Sequence, residues 1–365
     1  MNEENIFQAK EKLKSPIIQS LMQFINPVDL FIFIGGVLAS YTTIKRTTNR
    51  KFNPISYIGH RYLRFTPQMI FYILLSFLLP IIGIWLNGGP TWSKRMQQIQ
   101  WKCSKTWWHN LIYLQNLIEP ENMCGGHTWY LAVDMQLRFL SIFPLWFLAT
   151  NSSKQGLILI KIIILASLVM TSLQVFIQRL PPGLILTSLS HSAIYFIGFW
   201  YGWRRIVDRQ KHHHNDKPWS RMKMIIALAI IFSGYLFCTF NTLPWFYGHP
   251  YDRFWSAILY PLNRFIFTII LVIIFELCIE NCHSIITRFL RWPLFRLLSK
   301  LTFSVYLNHM LVINVLIGSR RLLLDLQWLS ILSLIFTNLF YSYVFGFIFT
   351  LLIDHPFMNI LNLFY

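Results

Sequence analysis

The sequence predicts an all-α membrane protein, a polytopic bundle of about nine transmembrane helices. Of its 365 residues, 55% are hydrophobic and only 13% are charged, which is too apolar for a single water-soluble core. Apolar runs of about 20 residues, the length that crosses a ~30 Å hydrocarbon layer at helical rise, recur along nearly the whole chain. The sequence lacks ten-residue segments of alternating polarity, so helices are expected rather than a β-barrel.

The nine predicted spans define a membrane domain at residues 28–356. A polar N-terminal segment at residues 1–27 precedes this domain, and a short tail at residues 357–365 follows it. The first and the eighth span are short for a membrane crossing. The spans are predicted at residues 28–44, 67–86, 129–149, 157–177, 184–203, 224–242, 259–280, 303–317 and 328–353.

The placement of Lys and Arg predicts which loops face the cytosol. The loops at residues 45–66, 150–156, 204–223 and 281–302 together hold 18 of these residues, against 11 in the five opposite segments. The positive-inside rule therefore places the C-terminus in the cytosol and the N-terminal segment outside. The expected membrane is an endomembrane or the plasma membrane. The net charge of +18 is then explained by topology, and no nucleic-acid partner is expected.

One stretch, His127 to Gln136, carries a carboxylate into an apolar span. A charged side chain inside a bilayer costs roughly 3 kcal/mol or more, so Asp134 is expected to have a partner. Arg138 lies one helical turn further on the same face and is the expected partner, and Tyr130 shares that face. The pair either fixes helix packing only, or Asp134 acts as a base, or orients one, on a hydroxyl substrate.

Two other spans carry polar stripes. On the eighth span, Tyr306 and His309 share a face, and a neutral imidazole near mid-membrane is suited to moving a proton. On the fifth span, His191 and Tyr195 lie at helical spacing. Each stripe is either a hydrogen-bonded packing feature or part of a substrate path.

Arg61 and Arg64 lie three residues apart at the cytosolic start of the second span. They are either positive-inside anchors or a pair of guanidinium groups that binds a phosphate or pyrophosphate. Cys103 and Cys124 share the longest predicted non-cytosolic loop and are expected to form a disulfide. The run His212 to His214 lacks spaced partners, so no metal site is expected.

Together these segments resemble the acyltransferase 3 family of integral membrane proteins, in particular its animal nose-resistant-to-fluoxetine branch. The resemblance covers roughly residues 28–356 and depends on several segments that occur in the family's order. These segments are VDLFIFIGGVLASY at 28–41, HRYLRFTP at 60–67, Cys103, Trp107, Trp108, Asn110, Leu111, Asn116 and Cys124 in the following loop, HTWYLAVDMQ at 127–136, the span from His191 to Gly202 with Tyr195 and Gly198, LTFSVYLNHMLV at 301–312, and Asp354 with Pro356.

The resemblance implies a bundle of about ten helices that moves an acyl group from a cytosolic acyl-CoA to an acceptor at or across the membrane. No bound cofactor is implied, since acyl-CoA is the co-substrate, and the other partners are membrane lipids and an unidentified acceptor. Arg61 and Arg64 would bind the CoA phosphates. Asp134, Tyr130 and His309 would line the catalytic path, whereas Arg138, His191, Tyr195 and Tyr306 would have structural roles or line the substrate path.

This sequence departs from the family pattern in three places. His191 stands where an Arg is usual, and Ile194 stands where a Pro is usual. The family also places a histidine, expected to be catalytic, on a span that precedes residue 28, and residues 1–27 are too short and polar to provide that span. A truncated gene model, a natural short form or a family member that lacks this group would each explain the departure.

A different functional class also fits polar stripes in a helical bundle. A lipid or small-molecule transporter without acyl-transfer activity would show the same stripes. Inverted repeats and matching helices interrupted by Gly or Pro would favour transport, and no convincing pair is seen in this sequence.

Overall fold

A computed structural model describes residues 15, 27–47, 51–85, 88–150, 153–178, 188–211, 219–241, 244, 247, 249–250, 252–280, 285–321 and 327–364. These residues are predominantly helical and contain no β-strand, which confirms the predicted all-α class. The predicted N-terminal segment at 1–27 is described only at Ser15 and Pro27, and the histidine run at 212–214 lies outside the described residues.

Thirteen α-helices lie within the described residues. A short π-helical turn, Thr350–Asp354, connects the last two helices. In chain order the helices are α1 (Pro27–Thr47), α2 (Pro54–Trp85), α3 (Trp92–Leu111), α4 (Trp129–Leu140), α5 (Ile142–Ala149), α6 (Ser153–Gln178), α7 (Ser188–Lys211), α8 (Arg221–Phe240), α9 (Arg253–Glu280), α10 (Ile285–Leu290), α11 (Pro293–Gly318), α12 (Trp328–Phe349) and α13 (His355–Phe364).

Eight segments of the described chain are long and apolar enough to cross a membrane. Residues 184–187 of the predicted span at 184–203 lie outside the described residues, and the rest of it lies in α7, which is long enough to cross but is not among the eight. Its polar residues Ser190, His191 and Ser192 are buried inside the protein, which explains how a less apolar helix is accommodated. The eight segments are Val28–Thr47, Pro54–Ile82, Gly126–Ala149, Ser153–Gln178, Arg221–Phe240, Arg253–Glu280, Pro293–Gly318 and Trp328–Ile360.

Two of the predicted spans are longer in the structure than apolar composition alone indicated. Helix α2 begins at Pro54 rather than at 67, and α11 begins at Pro293 rather than at 303. Both helices extend N-terminally through basic residues, which lower the local hydropathy without breaking the helical backbone. The arginines at 61 and 64 are therefore inside a helix and not in a loop before it.

Among the described residues, the first of two compact units comprises 55–85, 88–135, 292–321 and 327–364. Its apolar core includes Met69 from α2, Leu131 from α4 and Leu307 from α11, all fully buried. Helix α11 packs against α3 and α12. This unit holds the beginning of the HTWYLAVDMQ stretch together with α11.

The loop between α3 and α4 is tied down by covalent and hydrogen bonds. Cys103 of α3 forms a disulfide with Cys124, as the sequence predicted. The side-chain amide of Asn110 donates to the Cys124 carbonyl at 2.8 Å and to Thr128 Oγ1 at 3.1 Å. The amide of Gln115 donates to the Thr128 carbonyl at 3.0 Å. These bonds fix the loop backbone on both sides of His127.

The second unit comprises the described residues between 15 and 54 and between 136 and 291. Within it α1 packs closely along α7. A β-carbon on Gly36 would lie 2.1 Å from the Tyr195 carbonyl oxygen, and one on Gly198 would lie 2.4 Å from the Phe33 carbonyl oxygen. Glycine is thus required at both positions for the two helices to approach this closely, as is common in membrane helix pairs.

Candidate functional site

The carboxylate in the HTWYLAVDMQ stretch forms an ion pair with a residue of α2. Arg61 Nε donates to Asp134 Oδ2 at 2.9 Å, and Arg61 Nη2 donates to Asp134 Oδ1 at 2.8 Å. The Asp134 side chain is 2% exposed and that of Arg61 is 18% exposed. Two parallel hydrogen bonds of this kind fix the relative geometry of the guanidinium and the carboxylate.

The expectation that Arg138 is the partner of Asp134 is therefore wrong. Spacing along one helix identified Arg138 correctly as a neighbour on the same face. Spacing carries no information about an arginine on another helix, and Arg61 of α2 reaches both carboxylate oxygens. Arg138 instead lies near the C-terminal end of α4, where its carbonyl accepts a hydrogen bond of 2.7 Å from Ser141 Oγ.

Aromatic rings enclose the Arg61–Asp134 pair. The Arg61 guanidinium carbon lies 4.4 Å from the centre of the Phe65 ring, which stacks on Phe303 at 4.7 Å. Tyr130, one turn before Asp134, meets Tyr306 edge to face with 5.5 Å between ring centres. Such rings exclude water and strengthen electrostatic interactions among the groups they surround.

Two imidazole rings lie next to each other in this unit. The ring centres of His127 and His309 are 5.2 Å apart, and the planes are nearly perpendicular. Tyr306 stands beside both, with its ring centre 5.7 Å from each, and its hydroxyl donates to the His127 carbonyl. The Tyr72 ring approaches His127 from α2 at 5.3 Å.

The backbone sets the tautomer of each imidazole. His127 Nε2 lies 2.9 Å from the Leu307 carbonyl oxygen, and His309 Nδ1 faces the Tyr306 carbonyl oxygen. Because a carbonyl only accepts, the facing nitrogen carries the proton in each ring. In the neutral rings the lone pairs are therefore on Nδ1 of His127 and Nε2 of His309. His127 Nδ1 is buried and has no hydrogen-bond partner among the described residues.

A cavity of about 240 Å³ reaches His127 from the disulfide-closed loop. Its walls come from the loop and from α2, α3 and α11. Lys102 fixes the loop side of this cavity by donating from its ammonium to the Glu121 carbonyl at 2.7 Å. The lining residues are Tyr72, Ile99, Lys102, Pro120, Glu121, Met123, Gly125, Gly126, His127, Met310 and Asn314.

A buried phenol lies near the base of the loop. The Tyr113 hydroxyl is within 3.2 Å of Thr66 Oγ1, and its ring meets Tyr62 edge to face at 5.8 Å. Burial raises the pKa of Tyr113 above its usual value, so the phenol stays protonated. It therefore acts as a neutral hydrogen-bonding group.

The second unit has its own buried charged cluster. His191 Nδ1 lies 3.1 Å from Asp29 Oδ1 and 3.0 Å from Arg264 Nη1. Arg264 also donates to the Ser190 carbonyl at 3.1 Å. The hydroxyl of Tyr195, one turn beyond His191, donates to Ser141 Oγ at 3.5 Å. Hydrogen bonds inside the protein thus account for the polar stripe on α7.

The structure divides the predicted site residues between the two units. The first unit contains Arg61, Arg64, Tyr130, Asp134, Tyr306 and His309, and the second contains Arg138, His191 and Tyr195. Arg64 lies on an exposed face of α2.

The sequence-based list omitted His127. This residue opens the stretch that carries Asp134 and follows Gly125 and Gly126 directly. The sequence could have indicated His127, because a histidine stands at the start of a span that carries a carboxylate. The sequence could not indicate that His127 lies next to His309, because 182 positions separate the two in the chain.

Comparison with known proteins gives one family and one curated relative. A family model described as an acyltransferase domain matches residues 15–354. Nose resistant to fluoxetine protein 6 of Caenorhabditis elegans is 25% identical over 383 aligned positions, which cover 93% of this chain. The chain spans 45% of the length of that relative. No solved structure matches this chain.

Proposed function

Since this chain belongs to the acyltransferase 3 family, we propose that it is a membrane acyltransferase in which His127 is the general base. The proposed donor is an acyl-CoA, and the proposed acceptor is a molecule that presents a hydroxyl group to the cavity at His127. General-base catalysis of this kind contributes about 10²–10⁴-fold to a rate.

The proposed reaction has two bond changes at the acyl carbon. His127 Nδ1 takes the proton of the acceptor hydroxyl while the hydroxyl oxygen forms a bond to the thioester carbonyl carbon. The carbon–sulfur bond then breaks, and the CoA thiolate leaves with the proton that His127 had taken. The products are an ester and free CoA, and no oxidant, reductant or further reactant is needed.

One observation carries the proposal, namely the environment of the His127 ring. A general base needs a fixed ring, a defined tautomer and a free lone pair that a substrate can reach. The Leu307 carbonyl oxygen lies 2.9 Å from Nε2, which fixes both the ring and its tautomer. Nδ1 is buried and has no partner in the described part of the chain, so its lone pair is unused, and the 240 Å³ cavity that His127 lines is the proposed route by which a substrate hydroxyl approaches the ring.

The neighbouring groups suit supporting roles. We assign Tyr130 the role of a hydrogen-bond donor to the oxygen that becomes negative in the transition state. His309, 5.2 Å from His127, would pass the proton onward to the leaving thiolate. Asp134 binds Arg61 through both oxygens, so orienting neighbouring groups fits it better than removing a proton.

The CoA phosphates are proposed to bind at the start of α2. Two nitrogen atoms of Arg61 are committed to Asp134, whereas Arg64 lies on an exposed face. We therefore expect Arg64 to make most of the hydrogen bonds to the phosphates. Arg61 should attract the phosphates through its positive charge without binding them directly. In the orientation that the basic loops predict, this end of α2 faces the cytosol, where acyl-CoA is available.

The test is turnover by purified protein in phosphatidylcholine nanodiscs. Acetyl-CoA and palmitoyl-CoA would each be supplied, and free CoA thiol would be measured with water or an added lipid extract as acceptor. We expect His127→Ala to lower thiol release by about 100-fold or more. His355→Ala is the matched control, because His355 is an exposed histidine of α13 and should leave the rate unchanged.

Two results would reject the proposal. One is thiol release by His127→Ala at the wild-type rate. The other is wild-type protein that releases no thiol from either donor while it carries a labelled lipid across liposomes, which would favour the transporter alternative.

A further inference from the structure

A groove on the second unit has apolar walls and a cationic rim. Its volume is about 260 Å³, and it lies where α8 and α9 face each other. The walls and rim are formed by Trp219, Lys223, Ile226, Ala227, Ile230 and Ile273.

The groove residues of α8 form one continuous stripe. Ile226, Ala227 and Ile230 follow Lys223 by three, four and seven residues, the spacing of a single helical face. The surface that lines the groove is apolar, so Lys223 contributes its aliphatic stem to the wall and its charged end lies at the edge of the groove. Ile273 closes the groove from α9.

The rim lies at the membrane surface. The membrane-crossing segment of α8 begins at Arg221, so Trp219 precedes it and Lys223 is in its first turn. Trp and Lys are enriched at this level, where an aromatic ring meets headgroups and an ammonium reaches water. The isoleucines one and two turns further along face the hydrocarbon layer.

Among the residues that the structure describes, no acidic side chain is seen to pair with the cation at this rim. Residues 204–223 contain seven Lys and Arg but only two Asp. Glu276 and Glu280 of α9 both bind Arg205, at 3.3 and 2.8 Å. Lys223 is exposed, and its ammonium has no partner in the described part of the chain.

We propose that this groove binds an anionic phospholipid, with one acyl chain against the isoleucines and the phosphate at Lys223. The apolar walls require a hydrocarbon chain, and the cationic rim favours a negative headgroup. A lipid with a net charge is preferred over phosphatidylcholine because choline offsets its phosphate, and each basic side chain near a headgroup contributes about 1 kcal/mol. Basic grooves between membrane helices commonly bind such headgroups. This inference does not depend on the proposed acyltransferase activity.

The test is native mass spectrometry of the full chain released from liposomes of phosphatidylcholine mixed with phosphatidylserine. We expect wild-type protein to retain phosphatidylserine in preference to phosphatidylcholine. Lys223→Gln should weaken that preference about fivefold, the equivalent of about 1 kcal/mol. Lys154→Gln is the matched control, because Lys154 is an exposed lysine in the first turn of α6 and is not part of the groove.

A second variant tests the apolar wall. Ala227→Trp should fill the groove and abolish retention, whereas Ile225→Trp, on an exposed part of the same helix, should not. If Ala227→Trp fails to give folded protein by size-exclusion chromatography, Ala227→Leu serves the same purpose. Unchanged retention in the folded variant would overturn the proposal.

Competition identifies the ligand. Water-soluble glycerophosphoserine should fail to displace the bound lipid, because it lacks the acyl chain. If glycerophosphoserine displaced the lipid, the headgroup alone would be sufficient for binding, and the proposal would be overturned. Displacement by palmitoyl-CoA at a lower concentration than phosphatidylserine would likewise overturn it, because the groove would then be a donor site.

Discussion

The histidines of the two units differ in what satisfies their ring nitrogens. In the first unit, His127 and His309 each donate one N–H to a neutral backbone carbonyl. In the second unit, His191 Nδ1 lies between a carboxylate oxygen of Asp29 at 3.1 Å and a guanidinium nitrogen of Arg264 at 3.0 Å. The His191 side chain is almost fully buried, whereas His127 and His309 are half-buried.

In the proposed mechanism, this difference separates His127, the general base, from His191, which has a packing role. Charged partners occupy the nitrogen atoms of the imidazole that a substrate would need. They also join α1, α7 and α9, the three helices that carry Asp29, His191 and Arg264. A carbonyl partner orients the ring but leaves the opposite nitrogen with its lone pair. The residue type is the same in both places, so the partners of the ring and its degree of burial separate the two roles.

Breaking the ion pair of the first unit should have the largest effect. Asp134→Leu leaves Arg61 buried without its partner, and removing one member of a buried pair costs about 3–5 kcal/mol. The expected result is a large fall in melting temperature, measured by intrinsic fluorescence in detergent.

The control for this experiment replaces both charges. Arg61→Met together with Asp134→Leu should regain much of the lost stability, because no charge is left unpaired. A single variant that is as stable as wild type would mean that the pair is not needed for folding. The ion pair would then not be what holds α2 and α4 in place around the candidate site.

Removing the disulfide should have the next largest effect. Cys103→Ser with Cys124→Ser opens a loop with a sequence separation of 21, which costs about 3 kcal/mol in the chain-entropy description. Because His127 follows Cys124 by three residues, thiol release from acyl-CoA should fall as well. Full activity with both cysteines replaced would show that the loop does not hold His127 in place.

Two adjacent glycines offer a finer test of the same loop. Gly125 has φ of 76°, and a β-carbon there would lie 2.3 Å from the Tyr72 hydroxyl oxygen. Gly126 has open space within 4 Å of its β-carbon position. Gly125→Ala should therefore cost about 1–3 kcal/mol and reduce activity, whereas Gly126→Ala should do neither. Equal melting temperatures for the two variants would contradict this.

The smallest effect on catalysis is expected in the second unit. His191→Gln should lower the free energy of unfolding by about 1–3 kcal/mol, because Asp29 and Arg264 lose a buried partner. Thiol release per folded molecule should stay at the wild-type level. A drop comparable to that of His127→Ala would place His191 in the substrate path and remove the contrast between the units.

Composition and spacing predicted the architecture because membrane spans are long and leave a strong apolar signal. The apolar signal is weaker in a helix that faces other parts of the protein rather than lipid, because such a helix can carry buried polar residues. Helix α7 is the example, since its Ser190, His191 and Ser192 lower its hydropathy yet are buried. The extensions of α2 and α11 were missed for a related reason, because basic residues end an apolar run without ending a helix.

The candidate site was predicted only in part, because its key contacts join distant segments. The sequence identified Asp134 as a residue that needs a partner, and Arg61 satisfies it from 73 positions away. The disulfide was predicted because both cysteines lie in one loop. The pairing of His127 with His309 depends on how α11 meets the loop, which periodicity within one helix does not encode.

The central claim is that His127 supplies the general base, and chemical rescue tests it most directly. His127→Ala removes the imidazole and enlarges the cavity that reaches that position. Free imidazole added to this variant should restore thiol release in a concentration-dependent manner, and it should have no effect on Arg64→Ala. Wild-type turnover by His127→Ala without imidazole would contradict the claim.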